Sequence, residues 1–178
     1  IDADMRLGEL HKMFSMSQDN GLGDYLSQDK THLSKDNAQV SQVVDSQALS
    51  NLASFIHATG IDNIDFMPRG QHPRHPASLL ANGSFEHLMT ELNLHYDYII
   101  IDSPPVLAAS DAMILSQYAD KVLMVARYDK SIEGQVVYAV NQMNKANIKV
   151  DGIILNDVQQ GLLSKYSYHY SYAYGNNN

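Results

Sequence analysis

Four short apolar runs constrain this chain more than any other feature. They are "IDFM" (64–67), "YIIID" (98–102), "KVLMVAR" (121–127) and "GIILN" (152–156). Each is too short for a buried helix. Each is apolar without alternation, as expected of parallel strands covered on both faces. An opening "IDADMR" reads as the end of a further buried strand, so that the chain is expected to be an N-terminally truncated part of a longer protein.

Helical periodicity lies between the runs. Ser84 is placed to cap a helix carrying Phe85, Leu88, Met89 and Leu92 at i, i+3, i+4 and i+7. A second helix begins near Ser110 or Asp111 and carries Met113, Ile114 and Leu115. A third starts near Ser131, with Ile132, Val136, Val140 and Met143 on one face. Strand–helix alternation of this kind predicts an α/β fold, with a mostly parallel sheet flanked by helices. The polar stretch 29–63 is expected to be an excursion at the sheet's edge, with one helix around Leu49, Leu52 and Ile56. "RGQHPRHP" (69–76) is a proline-stiffened loop.

Composition excludes several classes of function. The 178 residues carry a formal charge of −8, which argues against a general nucleic-acid surface. There is no cysteine, so disulfides and thiolate chemistry are excluded. The apolar stretches are too short for a membrane-spanning helix.

Ligands of open α/β sheets bind beyond the carboxyl ends of the strands. The opening run ends in Asp2 and Asp4, "YIIID" ends in Asp102 before "SPP", and "GIILN" ends in Asn156. Asp2 and Asp4 are two residues apart, so on extended backbone they project to the same side. Carboxylates at the end of apolar strands are costly unless water or a cation satisfies them. Mg²⁺ suits such a place, since it takes one or two carboxylates together with waters and phosphate oxygens. The competing reading is that Asp4 and Asp102 only cap the helices after them.

Two weaker signals carry less. His72 and His75 are flanked by prolines and have no third ligand nearby in sequence, which argues against a metal pair. Gly21 and Gly23 in "NGLGDYL" follow no apolar strand, so they read as a helix-start turn rather than a nucleotide loop.

Taken together, these motifs resemble the catalytic domains of the bacterial tyrosine kinases (BY-kinases). "IDADMR" resembles their Walker A′ motif. "YDYIIIDSPPVLAASDA" (96–112) resembles the Walker B strand and its following loop. "FMPRGQHPRHPASLL" (66–80) resembles their P-x-G-x-x-P-x-N-P-S-E-L-L loop, with His75 in place of the Asn and Ala77-Ser78 in place of Ser-Glu. "LMVARYDKS" and "VDGIILN" resemble the next two strands.

The chain ends "KYSYHYSYAYGNNN" (165–178), with five of its eleven tyrosines at alternate positions. This resembles the family's autophosphorylated tyrosine cluster. The polar spacers predict a mobile end rather than an edge strand.

The resemblance implies a P-loop NTPase-like fold. It implies a partial kinase domain over 1–161, missing its upstream Walker A segment, and a phospho-acceptor tail over 162–178 bearing Tyr166, Tyr168, Tyr170, Tyr172 and Tyr174. It implies ATP and Mg²⁺ as cofactors. Asp2 becomes the base for an incoming tyrosine, Asp4 and Asp102 the Mg²⁺ residues, with the roles of Asp2 and Asp4 exchangeable. Arg6 would touch phosphate or a neighbouring subunit, or is a plain surface arginine. Asn156 would read the adenine edge, or is a turn former at a strand end.

The implied partners are further copies in a ring, a membrane polysaccharide co-polymerase segment (fused or separate) and a tyrosine phosphatase. The implied place is the cytoplasmic side of a bacterial inner membrane, where the kinase regulates capsular or exopolysaccharide polymerisation and export. Without a G-x-x-x-x-G-K-[ST] loop, the 178 residues by themselves are expected to be inactive. The sequence leaves two alternatives open: a partitioning or septum-placement ATPase (ParA/MinD-like), and a non-catalytic phospho-acceptor or interaction module.

Overall fold

The structure, a computed structural model, describes residues 1–28 and 52–158. The expected tyrosine tail, the boundary at 161–162, and Leu49 with most of the polar excursion lie outside the described residues. Two compact units divide at Tyr118 and Ala119.

The first unit is built around the opening segment. Residues 1–3 run parallel to 100–102: the Asp102 N–H donates to the Ile1 carbonyl (2.9 Å) and the Ala3 N–H to the Asp102 carbonyl (2.8 Å). On the other side, the Asp2 N–H donates to the Met67 carbonyl at 2.9 Å. The two aspartate-bearing runs are therefore neighbours, joined through a parallel bridge between Asp2 and Asp102. "YIIID" is less regular than expected, forming this bridge rather than a full strand. It is also covered on one face only. Ile99 and Ile101 pack on the core, while Tyr98 and Ile100 are 89% and 83% exposed.

"IDFM" is also reassigned. Strand β2 (Ile64–Phe66) pairs antiparallel with β1 (His57–Ile61), not parallel. The hairpin turns through Asn63 at φ +62°, and the register slips between Ala58 and Ile61 around Gly60 at φ +80°. Of the helix expected around Leu49, Leu52 and Ile56, the described part is helical at Leu52 and runs on into a 3₁₀ turn at Ala53–Phe55, after which Ile56 is extended.

Short helices pack against these segments: α1 (Leu10–Met13), α2 (Leu22–Ser27), α3 (Pro76–Leu80), α4 (Ser84–Leu92) and α5 (Asp111–Leu115). Helix α4 buries the four residues its periodicity predicts: Phe85, Leu88, Met89 and Leu92. Its cap differs from expectation. Gly83, at φ +84°, takes the cap position, and the Asn82 side chain accepts the Ser84 N–H at 3.0 Å. Around α4 the core gathers Ala3, Met5, Leu22, Leu26, Leu80 and Leu115.

The second unit is a β–α–β element. Strands β3 (Leu123–Arg127) and β4 (Gly152–Asn156) pair in parallel, with Leu123 opposite Gly152 and Arg127 opposite Asn156. Helix α6 (Glu133–Lys145) connects them and turns Val136, Ala139, Val140 and Met143 inward, while Ile132 stays exposed. These strands and this helix lie where the sequence predicts them, but the strands are not covered on both faces: Leu123, Val125, Ile153, Ile154 and Leu155 are exposed. Among the described residues, no helix is long and apolar enough to cross a membrane.

Candidate active site

The site grows from the parallel pairing of residues 1–3 with 100–102, which brings Asp2, Asp4 and Asp102 to one strand end. Their environments differ. Asp2 is fully buried; its Oδ2 accepts the Leu10 N–H at 3.2 Å, and its Oδ1 is buried without a well-formed hydrogen bond. Gly8 lies directly over that carboxyl, and a Cβ at residue 8 would collide with Oδ1 and with the Asp4 carbonyl. Asp2 and Asp4 therefore do not present equally to solvent, as a plain extended strand would have them. In this conformation the segment 8–10 covers Asp2.

Asp4 is half-buried and organises the turn after it. Its Oδ1 accepts the N–H groups of Arg6 (3.1 Å) and Leu7 (2.9 Å), and its carbonyl accepts that of Gly8 (2.7 Å). Asp102 is exposed at the start of the Ser103–Pro105 loop.

The three carboxylates act on one another. Burial holds the Asp2 carboxyl above the usual carboxylate range, and the charge on Asp102 adds to the effect. Partial desolvation raises Asp102 likewise, reinforced by Asp4. Such a cluster gains from a hard cation. Among the described residues, no three His, Cys, Asp or Glu side chains converge to hold a metal unaided. The arrangement fits Mg²⁺, which needs only one or two of these carboxylates when water and phosphate supply the rest. Asp4 and Asp102 would hold it.

Arg6 is engaged inside the unit. Its Nε and one terminal nitrogen donate to the two oxygens of Asp111, at 2.9 and 3.1 Å. Asp111, the first residue of α5, is fully buried, whereas the Arg6 side chain is 43% exposed. The sequence reading missed Asp111, because an acid in the first turn of a helix ordinarily answers the helix dipole. It missed Gly8 as well.

Asn156 belongs to the second unit. Its Oδ1 accepts the Asp157 N–H at 2.8 Å, the turn-forming geometry that was the alternative to adenine recognition.

The proline loop braces the Asp4 turn. A His72 ring nitrogen (Nδ1) bonds the Met5 carbonyl at 2.7 Å, and the Arg69 guanidinium donates to the Gln18 side chain at 2.8 Å. Gly21 and Gly23 do open a helix, α2, and they allow backbone to meet backbone. The N–H groups of Leu22 and Gly23 donate to the carbonyls of Pro68 and Arg69, both at 2.8 Å.

Parallel segments ending in aspartates, followed by a loop and a helix, define an α/β protein with its candidate site at the carboxyl ends of its strands. No family model matches the chain. Individual proteins do. It is 36% identical over 160 residues to the tyrosine-protein kinase ptk of Acinetobacter johnsonii, covering 90% of this chain and 19% of that protein. It is 33% identical over 168 residues to the tyrosine-protein kinase etk of Escherichia coli K12, covering 94% and 20%. The solved kinase domain of Escherichia coli tyrosine kinase ETK superposes with a TM-score of 0.73 at 31% identity, covering 89% of this chain and 55% of that one. The chain belongs to the BY-kinase family, and spans about a fifth of the length of the curated relatives it matches.

Proposed function

We propose that the protein carrying this chain is an ATP- and Mg²⁺-dependent protein-tyrosine kinase. It phosphorylates Tyr166, Tyr168, Tyr170, Tyr172 and Tyr174, chiefly between copies, and so regulates capsular or exopolysaccharide polymerisation and export. The observation that carries this reading is the parallel pairing of the Asp2 and Asp102 segments, which sets three carboxylates at one strand end. The names of the relatives support it.

Phosphoryl transfer is catalysed mainly by positioning and charge neutralisation. Asp4 spends Oδ1 on the main chain, so Oδ2 and the Asp102 carboxylate are the oxygens assigned to Mg²⁺, directly or through water. Mg²⁺ would neutralise charge on the transferred phosphoryl group. A tyrosine hydroxyl has a pKa of about 10 and needs an acceptor for its proton. Asp2 suits that task, because burial raises its proton affinity toward the working pH. Segment 8–10 must lift off Asp2 for the tyrosine to reach it.

ATP requires a phosphate-binding loop, and the 178 residues contain no G-x-x-x-x-G-K-[ST]. The proposed activity therefore belongs to the full-length protein. Its partners are other copies, a membrane co-polymerase segment and a phosphatase, at the cytoplasmic face of the inner membrane.

Mass spectrometry of the full-length protein from a strain lacking its phosphatase tests the reading. Phosphate is expected on the tail, and lost in Asp4→Asn and Asp102→Asn. A clean wild-type tail would overturn it.

A further inference from the structure

The pair Arg6–Asp111 joins the two loops that bear the proposed Mg²⁺ residues. Arg6 lies in the turn whose N–H groups hold Asp4 Oδ1. Asp111 opens the helix reached through the loop after Asp102. The contact spans 105 residues of sequence and is bidentate, so it fixes orientation as well as distance. Asp111 is fully buried, and an unpaired carboxylate there would be strongly disfavoured. Arg6 thus has a strong preference for one position, and its own N–H goes with it.

We infer that Asp111 and Arg6 are positioning residues for phosphoryl transfer: their fork-to-carboxylate latch sets Asp4 against Asp102, and so sets the affinity of the carboxylate edge for Mg²⁺. This rests on the kinase reading for its catalytic consequence, but the latch itself rests on geometry alone. Arg6 acts through the turn rather than on the nucleotide. The requirement is for a guanidinium, since a lysine ammonium keeps the charge but cannot present two parallel donors. Asp111 need not touch substrate, metal or nucleotide at any stage.

The experiment uses full-length protein with two substitutions, Asp111→Asn and Arg6→Lys, and two readouts. The first is the Mg²⁺ concentration giving half-maximal tail phosphorylation, measured well below each variant's melting temperature. It is expected to rise about tenfold in both variants, as for other residues that orient metal ligands. The second is amide hydrogen exchange. Protection of residues 6–8 is expected to fall about tenfold, while the β1–β2 hairpin keeps its protection.

An unchanged Mg²⁺ midpoint, with rate lost only in proportion to folded protein, would make the pair a purely structural contact and overturn the inference. Unchanged protection at residues 6–8 would overturn it too. A wild type that phosphorylates no tyrosine sinks the kinase reading instead, and the exchange measurement then still decides whether the latch holds the Asp4 turn.

Discussion

At the scale of single residues, the chain places acids where water would not choose them. Asp2 is the sharpest case. Its folded-state pKa is raised, so its favourable contribution is complete below the unfolded carboxylate value of about 4 and is lost as pH rises through the folded value. Above the unfolded value, burial of this carboxyl therefore opposes folding. Asp2→Asn is expected to raise the melting temperature at pH 7.5 without Mg²⁺, and the gain should vanish toward pH 4. A variant that melts at or below wild type at pH 7.5 would contradict this. Gly8→Ala drives a methyl into the same carboxyl, so it is expected to destabilise by about 1–3 kcal/mol, readable in urea titrations. Tyr96 behaves in the same sense at alkaline pH. Burial and the Asp65 carboxylate, which accepts its hydroxyl at 2.7 Å, push its phenol up to about 12. The stability it adds is full below about pH 10 and drains away between about pH 10 and 12. The advantage of wild type over Tyr96→Phe should shrink across that window, while phenolate absorbance reports the late ionisation directly.

Elements show which kinds of signal a sequence can carry. Helix α4 was legible because four apolar residues at helical spacing all reach the core, with Phe85 set edge-on to Tyr118 at 5.2 Å. Phe85→Ala is accordingly expected to cost about 3–5 kcal/mol, measured by chemical denaturation. Strands β3 and β4 were legible as apolar runs. Strand β1 was not, because "HATGI" has one large apolar residue and takes its form from pairing with β2. "YIIID" misled in the opposite way: it is apolar throughout, yet only Ile99 and Ile101 pack on the core. The site divides on similar lines. Carboxylates that end apolar runs stand out, whereas Asp111 looks like an ordinary helix-start acid until Arg6 is found against it. Gly21 and Gly23 are legible as a helix-start turn, with Gly21 at the N-cap of α2. What was hidden is their partner, the Pro68–Gly70 backbone, which a Cβ on Gly21 would strike.

For the molecule as a whole, charge is the property that chemistry can change most. The sequence carries −8, and the proposed acceptors lie within nine residues of one another near its end. Each phosphate adds about −1.5 to −2 at neutral pH, so modifying all five tyrosines roughly doubles the net charge. The carboxylates that would accept a neighbour's tail are themselves uncompensated: Asp2 and Asp102 each feel the other acids around them. An unmodified tail meets that edge with a neutral hydroxyl, while a modified one meets it with like charge. Docking between copies should therefore favour the unmodified state, and heavy phosphorylation should release it. Full-length protein treated with a tyrosine phosphatase is expected to run as a larger species in light scattering than its fully phosphorylated form. The difference should narrow as salt rises past about 0.5 M, where screening lengths fall to a few ångströms. Equal sizes at low salt would show that the tail's charge does not govern assembly, whatever its role as a substrate.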